Sequence, residues 1–437
     1  MKRLMISIAG LGMLATLSSA VADKIDVMTQ NQYVGTDLIG LVNSDDFNAA
    51  VIEALQDRAA SLPTERVQAL ARLIDQRGPE VVGLQEVYKF TCVDTNPADF
   101  RGCEHQSISG AFTDQLADTL AALGGKYEEA ATVVNIDLPA GLGLSIPLPG
   151  IPISFDATTI YVGVVDRDVI LARSGLQYTV TNFAALNALD PQLCSRPSAD
   201  GCNFDAAAEA PLEILGMPVL VRFERGFVGI DVVLDGKSYR FANTHLETKL
   251  GSFGPQGRFF QAAQSAELLA TLEAAQYVAP SERLLAVGDF NSGPTDEVIP
   301  VPSPLPAFLG IPPYQQLLGV GFTDAWTIRP GASTGQGAPL VGFSCCQDDD
   351  LGNHKSDLTS RIDLVFSIPM PSKVKQAACS VSPCQTRLRQ RVMGCGHPIM
   401  RRLRRNCSSR SKRTCRFAWT NRRAPCRNCA AAHRCPG

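Results

Sequence analysis

A short polar motif at residues 288–291 carries side chains that are suited to catalysis. Gly288-Asp289-Phe290-Asn291 directly follows Leu284-Leu285-Ala286-Val287, an apolar run that predicts a short buried strand. A carboxylate and an amide held two residues apart at a strand end can polarise a water molecule and hold a phosphoryl oxygen. Alone, the motif is a weak signal, because an Asp and an Asn at a strand-to-turn junction are often structural.

Four further polar residues end or interrupt segments that resemble strands. Glu86 by itself can be a solvated acid, and His245 can be a hydrogen-bonded histidine of the core. Their recurrence in order at apparent strand ends strengthens the functional interpretation. In chain order they are Asn31 after 24–29, Glu86 at the end of 81–86, His245 within 241–247 and Asp363 within 361–366.

With the motif at 288–291, this series resembles the endonuclease/exonuclease/phosphatase superfamily of metal-dependent phosphoesterases. The superfamily includes deoxyribonuclease-like nucleases, inositol phosphatases and bacterial sphingomyelinases. The resemblance covers roughly residues 24–368 and is specific for the superfamily, but not for the substrate. It implies an α/β fold, a four-layer sandwich of two packed, mainly antiparallel β-sheets flanked by helices. It also implies Mg²⁺ as cofactor, with Mn²⁺ or Ca²⁺ as alternatives.

The resemblance also implies a role for each residue. Glu86 is the principal metal ligand, and Asn31 assists at the metal or at the phosphate. Asp289 orients and deprotonates the attacking water. Asn291 and His245 hold the phosphate, and His245 can donate to an oxygen that gains charge.

The chain departs from the superfamily after Asp363. Members usually end with a Ser-Asp-His element, whose histidine stabilises the transition state and is oriented by the aspartate that matches Asp363. No such tripeptide follows here, and the later histidines are His397 and His433. Because losing one charge-stabilising donor costs about 10²–10³ in rate, the departure predicts a weaker catalyst.

The composition changes in the same region. From Cys379 onward the chain has eight of its 14 cysteines, abundant arginine and no strand-like alternation. We therefore separate a catalytic domain, 23–368, from a tail, 369–437. Three explanations of the tail stay open: a coding region read out of frame, a basic arm for an anionic polymer or membrane, and a disordered segment.

Residues 1–22 have the pattern of a secretory signal peptide. Lys2 and Arg3 precede an apolar stretch to Leu17, and Ala20-Val21-Ala22 supplies the small residues of a cleavage site. The apolar stretch is shorter than the roughly 20 residues of a membrane span. We therefore expect a secreted or periplasmic protein, and no obligate protein partner is evident.

Two cysteine pairs flank short polar loops. Cys92 and Cys103 form one pair, and Cys194 and Cys202 form the other. An oxidising compartment favours a disulfide in each pair. A zinc site is the alternative, since His105 lies near Cys103, but neither loop contains a convincing set of four ligands.

The charge is unevenly divided along the chain. All 43 acidic residues lie at or before Asp363, together with 23 basic residues, so this part carries a net charge of −20. The residues after Asp363 include 17 Lys or Arg and no acid. Because affinity for nucleic acid comes largely from Lys and Arg contacts to phosphate, the acidic body disfavours an efficient non-specific nuclease.

Periodicity predicts the elements that must position these residues. Helical spacing of Val67, Leu70 and Ile74 predicts a helix packed on the strand that ends at Glu86. Strands outnumber helices, in agreement with a layered sandwich. Further predicted helices cover 111–123 and 257–275, and further predicted strands cover 158–165, 169–172, 218–223, 227–234 and 238–243.

Two proline-rich insertions, near 138–155 and 298–314, interrupt this pattern. Proline excludes regular helix and central strand from both. As apolar loops beside the cleft they can contact lipid or an apolar substrate, which would be a peripheral membrane contact. The alternative is that they pack against their own domain.

These observations predict a secreted, metal-dependent phosphoesterase that hydrolyses phosphodiesters by metal-assisted attack of water. Nucleic acid and phospholipid head groups are the candidate substrates, and the negative body with its apolar insertions favours a lipid or small ester. The alternative belongs to a different class. It is a non-catalytic binding module that kept the fold and lost its chemistry with the terminal histidine.

Overall fold

The computed structural model describes residues 24–38, 40–94, 102–142, 148–156, 158–214, 217–249, 256–329, 342–348, 351, 353, 356–371 and 374. All of these residues belong to one compact unit, Met1–Arg389. The predicted signal peptide and almost all of the predicted tail lie outside the described residues, so both stay predictions. No helix within the described ranges is long and apolar enough to cross a membrane.

The described residues form two large β-sheets, a separate hairpin and five α-helices. The strands are β1 Val27–Asn31, β2 Val81–Gln85, β3 Lys89–Asp94, β4 Tyr127–Leu138, β5 Ile151–Phe155, β6 Thr158–Arg173, β7 Tyr178–Val180, β8 Arg196–Ser198, β9 Gly201–Asn203, β10 Ala208–Ile214, β11 Met217–Phe223, β12 Gly226–Leu234, β13 Lys237–His245, β14 Arg283–Asp289, β15 Thr323–Asp324 and β16 Asp363–Ile368. The helices are α1 Phe47–Ala60, α2 Pro63–Arg77, α3 Gln115–Leu123, α4 Gln256–Val278 and α5 Pro313–Gly319.

Both large sheets are mainly antiparallel. The first has the order β1-β2-β6-β3, and β4 and β5 also pair with the long strand β6. The second has the order β15-β16-β14-β13-β12-β9-β8, with β7 also paired to β12. Among the described pairs only β1/β2 and β13/β14 run parallel. The hairpin β10–β11 stands outside both sheets.

The core lies in three apolar layers that separate four layers of secondary structure. Between the sheets, Val81 and Ile170 pack in one cluster with Val228 and Phe241. The outer faces are covered by helices, and this confirms the predicted fold class of a four-layer sandwich. The helix-to-sheet clusters include Ile74, Leu84 and Leu171 under α2 and α3, and Leu268, Leu272 and Phe227 under α4.

Helix α2 shows how local sequence places an element against the first sheet. Pro63 occupies the first turn, where its missing N–H costs nothing. Gly78 ends the helix in the left-handed conformation, and its N–H donates to Ile74 O at 2.8 Å. Val67 and Leu70, which carry the predicted helical spacing, are buried as expected.

The structure differs from the sequence prediction along β6. The two strands predicted at 158–165 and 169–172 form one strand of 16 residues. The polar run Asp166-Arg167-Asp168 does not end it, because both acids are buried and Arg167 pairs with Asp114 at 2.6 Å. Within the first insertion, β5 contains Pro152 and pairs only with β6, so it is an edge strand, where proline is tolerated.

Both predicted disulfides are present. Cys92 and Cys103 are joined with Cα atoms 5.8 Å apart, and Cys194 and Cys202 with Cα atoms 5.4 Å apart. Both separations lie in the usual range for disulfides. The first closes a loop at the end of β3, and the second joins the segment before β8 to β9.

Candidate active site

The sheet registers bring the predicted residues to one edge of the sandwich. In the first sheet Asn31 is the last residue of β1 and lies opposite Gln85, the residue before Glu86. In the second sheet His245 ends β13 opposite Asp289, the last residue of β14. Because each of these pairs is parallel, the carboxyl ends of its strands meet at the same edge.

Asp363 reaches this edge from the opposite direction. It begins β16, which runs antiparallel to β14, and it lies opposite Asp289 in the register. We use the name strand-end site for Asn31, Glu86, His245, Asp289 and Asn291, with Asp363 beneath Asp289.

Special backbone conformations occur at the ends of these strands. At Gly288, φ is +148°, and a Cβ atom there would lie 1.9 Å from Thr244 O, so only glycine allows β13 and β14 to approach. Glu86 and Asn291 have φ of +53° and +47°. Such angles are uncommon for residues other than glycine and cluster at functional sites.

One amide connects the two sheets at the centre of the site. Asn31 Nδ2 donates to Glu86 Oε1 at 2.9 Å and to Asp289 Oδ2 at 3.1 Å. The other carboxylate oxygens also have donors: Val34 N lies 2.6 Å from Glu86 Oε2, and Asn291 N lies 2.9 Å from Asp289 Oδ1. These bonds fix both carboxylates before any ligand binds.

Burial sets the protonation of the two aspartates. It raises the pKa of Asp289 to about 6, against the lowering effect of hydrogen bonds from Asn291 and Asn31. Asp289 is therefore mainly ionised at neutral pH and can accept a proton. Burial, followed by the charge of Asp289, raises the pKa of Asp363 well above its usual range. Asp363 thus holds a proton more firmly than Asp289 does.

Arg225 contacts His245 and determines which ring nitrogen carries the proton. Its Nη1 lies 3.1 Å from His245 Nδ1, and a guanidinium can only donate, so Nδ1 accepts. Burial and then the charge of Arg225 lower the pKa of His245 well below its usual value, so the ring is neutral. A neutral ring that accepts at Nδ1 carries its proton on Nε2.

Two donors therefore converge on one spot. Asn291 Nδ2 donates to Leu246 O at 2.9 Å, which fixes the orientation of the amide. The same Nδ2 lies 3.2 Å from His245 Nε2, which also carries a proton. His245 Nε2 also lies 3.9 Å from Asp289 Oδ2. The two N–H groups lie side by side, so both can donate to one anionic oxygen placed near them. This arrangement suits the predicted phosphate-holding role of both residues.

Sequence reasoning missed Arg225 and two buried acids. Arg225 lies in the turn before β12 and belongs to no motif, and its Nη1 is 3.7 Å from Asp166 Oδ2. Burial would lower the pKa of Arg225, but the charges of Glu247 and Asp166 raise it above its ordinary value. The signal in the sequence was a pair of acids, Asp166 and Asp168, at alternate positions of an otherwise apolar strand, which indicates a buried charged partner.

The donor set fits a hard divalent cation. Glu86, Asp289 and Asp363 are oxygen donors, and the charges of the first two contribute to the raised pKa of the third. Asp363 Oδ1 is buried and has no hydrogen-bond partner among the described residues. The described ranges contain no cluster of three or more His, Cys, Asp or Glu in a metal-binding arrangement. Mg²⁺ commonly uses only one or two carboxylates and keeps several waters.

Asp324, a buried acid of β15, has structural partners. Asp324 accepts hydrogen bonds from Arg361 Nη2 at 2.6 Å and from Tyr314 Oη at 3.0 Å, and it is buried. It therefore acts in the core. His397 and His433 lie outside the described residues, so neither can be placed relative to Asp363.

Comparisons with known proteins give similar structures only. The searches against family models and against curated proteins give no match. Among solved structures, an endonuclease/exonuclease/phosphatase family protein from Leptotrichia buccalis is 13% identical, with a TM-score of 0.37, over 80% of this chain and 90% of that one. The human Nocturnin catalytic domain with bound sulfate is 15% identical, with a TM-score of 0.32, over 70% and 75%.

A third similar structure is a β-hairpin deletion mutant of Staphylococcus aureus β toxin. It is 12% identical, with a TM-score of 0.35, over 81% of this chain and 91% of that one. Identities and TM-scores this low leave the activity of the present chain to be inferred from its own residues.

Proposed function

We propose that this chain is a secreted member of the endonuclease/exonuclease/phosphatase superfamily that hydrolyses phosphodiesters with the help of Mg²⁺. The observation that carries the proposal is the Asn31 amide, which holds the carboxylates of Glu86 and Asp289 at 2.9 and 3.1 Å. Fixed carboxylates beside N–H donors supply the positioning and the electrostatic stabilisation on which phosphoryl transfer depends.

Glu86 is the residue that would hold the cation, with Asn31 beside it. A bound Mg²⁺ would neutralise charge on the phosphate and polarise its bonds. Glu86 and Asn31 are both half-buried, so the metal-facing end of the site is accessible from solvent. Its oxygen-rich character supports Mg²⁺, with Mn²⁺ or Ca²⁺ as alternatives.

The residues of the second sheet supply the proton transfer and the phosphate contacts. Asp289 accepts the proton of the attacking water, because its pKa of about 6 leaves it ionised at neutral pH. Asn31 and Asn291 N–H hold its two oxygens in place. His245 Nε2–H and Asn291 Nδ2–H donate to a phosphate oxygen as its charge increases.

The substrate class follows from charge and from the apolar parts of the chain. A net charge of −20 up to Asp363 disfavours long anionic polymers. A lipid or small phosphodiester is therefore the better candidate, with nucleic acid as the other. The signal-peptide pattern of residues 1–22 and the two disulfides support the assignment to a secreted or periplasmic compartment.

The decisive experiment measures hydrolysis of bis(p-nitrophenyl) phosphate by the secreted protein during a Mg²⁺ titration with a chelator control. We expect turnover that depends on the metal and is lost in Asp289→Asn. Asp45→Asn is the matched control, because Asp45 is an exposed acid that does not belong to the strand-end site. Absence of metal-dependent turnover in the parent protein would refute the proposal.

A binding module is the second candidate. One observation favours it: among the described residues His245 is the only histidine at the strand-end site. The other described histidine, His105, bonds to Ser107 next to the Cys92–Cys103 disulfide. Tight Mg²⁺-dependent binding of a phosphodiester without turnover would support this candidate. Resequencing the coding DNA after Asp363 would then test whether another reading frame restores the Ser-Asp-His element.

A further inference from the structure

An apolar cavity is enclosed by helix α1, strands of the first sheet and strand β11 of the hairpin. Its volume is about 80 Å³, and every lining residue is apolar. This is several times the roughly 10–15 Å³ that one water molecule requires on the same measure. Its walls come from distant parts of the chain, including Leu38, Leu55 on α1, Phe90 on β3, Ile153 on β5 and Val221 on β11.

The lining limits the chemistry of the occupant. A polar or charged ligand buried here would lose its hydrogen bonds with water and find no partner in the walls. Arg58, a buried charge next to the lining residue Phe90, is satisfied elsewhere. It packs over the Phe90 ring at 4.2 Å and donates to Ala111 O at 2.8 Å, to Thr113 Oγ1 at 3.1 Å and to Val34 O. The cavity therefore suits a hydrocarbon chain.

The backbone of Val34 connects the cavity to the strand-end site. Val34 N donates to Glu86 Oε2 at 2.6 Å. The Val34 side chain belongs to the same apolar cluster as Leu55, Phe90 and Ile153, which line the cavity. The hairpin makes a second connection, because Phe223 lines the cavity and lies two residues before Arg225, which contacts His245.

We propose that the cavity binds the aliphatic chain of a single-chain phosphoester while its phosphate lies at the strand-end site. The inference rests on the proposed function and sharpens it by naming the substrate class. The chain adds binding free energy through burial of its methylenes, and it orients the ester relative to Asp289. Because the walls offer no hydrogen-bonding group, selection depends on length and not on head-group chemistry.

Two diesters that differ only in chain length test whether the cavity contributes to turnover. We expect p-nitrophenyl octyl phosphate, kept below the concentration at which it aggregates, to exceed p-nitrophenyl butyl phosphate in kcat/KM. The ratio should lie between about 10 and about 250, the upper figure being about fourfold for each of four buried methylenes. A ratio near 1 would overturn the proposal.

Variants on neighbouring positions of β11 locate the effect. Val221 is 4% exposed and lines the cavity, whereas Leu220 is 62% exposed. Val221→Trp should fill the cavity and reduce the octyl-to-butyl ratio below about 3, while Leu220→Trp should leave the ratio unchanged. Ala54→Leu, which narrows the cavity from α1, replaces the first variant if that one fails to fold. Equal ratios in all folded variants would contradict the assignment.

Calorimetry with octyl and butyl phosphate in the presence of Mg²⁺ separates the cavity from catalysis. We expect octyl phosphate to bind at least about tenfold more tightly, with the difference removed by Val221→Trp. If neither diester is hydrolysed but this difference is found, the cavity is supported and the phosphodiesterase proposal fails. If both diesters are hydrolysed at equal rates and both phosphates bind alike, the phosphodiesterase stands and the cavity assignment is wrong.

Discussion

The strand-end site and the apolar cavity are linked through Val34, whose N–H donates to Glu86 and whose side chain packs in the cluster that includes Leu55 and Phe90, but they are built by opposite means. On one side, Glu86 and Asp289 are held by directional hydrogen bonds from the Asn31 amide. On the other, the cavity has no directional contact to offer, and only its shape and apolar surface act on a ligand. Isosteric changes should therefore abolish chemistry at the first site, and changes of volume should alter chain selectivity at the second.

The largest expected effect is that of Asp289→Asn. The amide keeps the shape but cannot accept the proton of water, so we expect kcat to fall by about 10²–10⁴. In the parent protein the rate should fall below a pH of about 6, because Asp289 becomes protonated there. Octyl and butyl diesters should lose the same factor. Full activity of the variant from pH 6 to pH 8 would remove Asp289 as the base.

The same substitution should stabilise the fold at high pH. Asp289 has a folded pKa of about 6 against an ordinary value of 3.8. The protonated form of Asp289 contributes its full stabilisation below pH 3.8, and this contribution is lost as the pH rises through about 6. At pH 8 in a chelator, Asp289→Asn should exceed the parent in free energy of unfolding. Urea unfolding at pH 8 and at pH 3.5 tests this, since the difference should nearly vanish at the lower pH.

Glu86→Gln should act on the metal before it acts on the substrate. The change removes an anionic ligand with little change in volume, and we expect the Mg²⁺ concentration at half-maximal rate to rise by at least about 10–100-fold. The chain-length ratio should stay the same, because the Val34 backbone can still donate to the glutamine oxygen. An unchanged Mg²⁺ titration would exclude Glu86 from the metal site.

Arg225→Lys should give a smaller loss, of about tenfold in kcat, with little change in KM. Lysine keeps the charge opposite Asp166 but lacks the planar fork that fixes His245 Nδ1. A shift of the acidic limb of the pH–rate profile would distinguish a disturbed His245 from a general loss of folding. A profile identical to that of the parent would show that the tautomer of His245 does not depend on Arg225.

The two regions also differ in how far the sequence predicted them. Asn31, Glu86 and His245 are polar residues at or directly after the ends of apolar strands, and this pattern is visible in the sequence. Parallel pairing of the strands then brings these residues together. For the cavity the sequence marked only one wall, the apolar insertion that contributes Leu138, Ile151 and Ile153, because the other lining residues look like ordinary core.

Arg225 and the long strand β6 were missed for a related reason. Arg225 acts through a tertiary contact with His245, and nothing near it in sequence marks that contact. The run Asp166-Arg167-Asp168 resembled a break between strands, because burial of two acids is costly without partners. The partners, Arg225 for Asp166 and Asn135 for Asp168, come from distant segments.

The smallest expected effect on turnover comes from the disulfides, and it separates the two regions once more. Cys194 and Cys202 are fully buried in the core cluster between the second sheet and α4, whereas Cys92 and Cys103 are only partly buried against the cluster that includes Phe90 and Ile153. The Cys194–Cys202 disulfide closes a loop of 8 residues, and the Cys92–Cys103 disulfide closes one of 11. Loop entropy alone would therefore make Cys92–Cys103 the more stabilising disulfide, by only about 0.3 kcal/mol.

Burial should reverse that order, because replacing Cys194 and Cys202 by alanine also leaves an empty space in the core. We therefore expect the Cys194→Ala/Cys202→Ala protein to lose more free energy of unfolding than the Cys92→Ala/Cys103→Ala protein. Turnover of the butyl diester should stay within about twofold in both folded variants, since no cysteine contacts Asp289 or Glu86 in the described structure. The octyl-to-butyl ratio should fall only in the Cys92→Ala/Cys103→Ala variant, because Phe90 on the same strand lines the cavity. A loss of the ratio in the other variant would show that the cavity is not an independent site but responds to the stability of the whole fold.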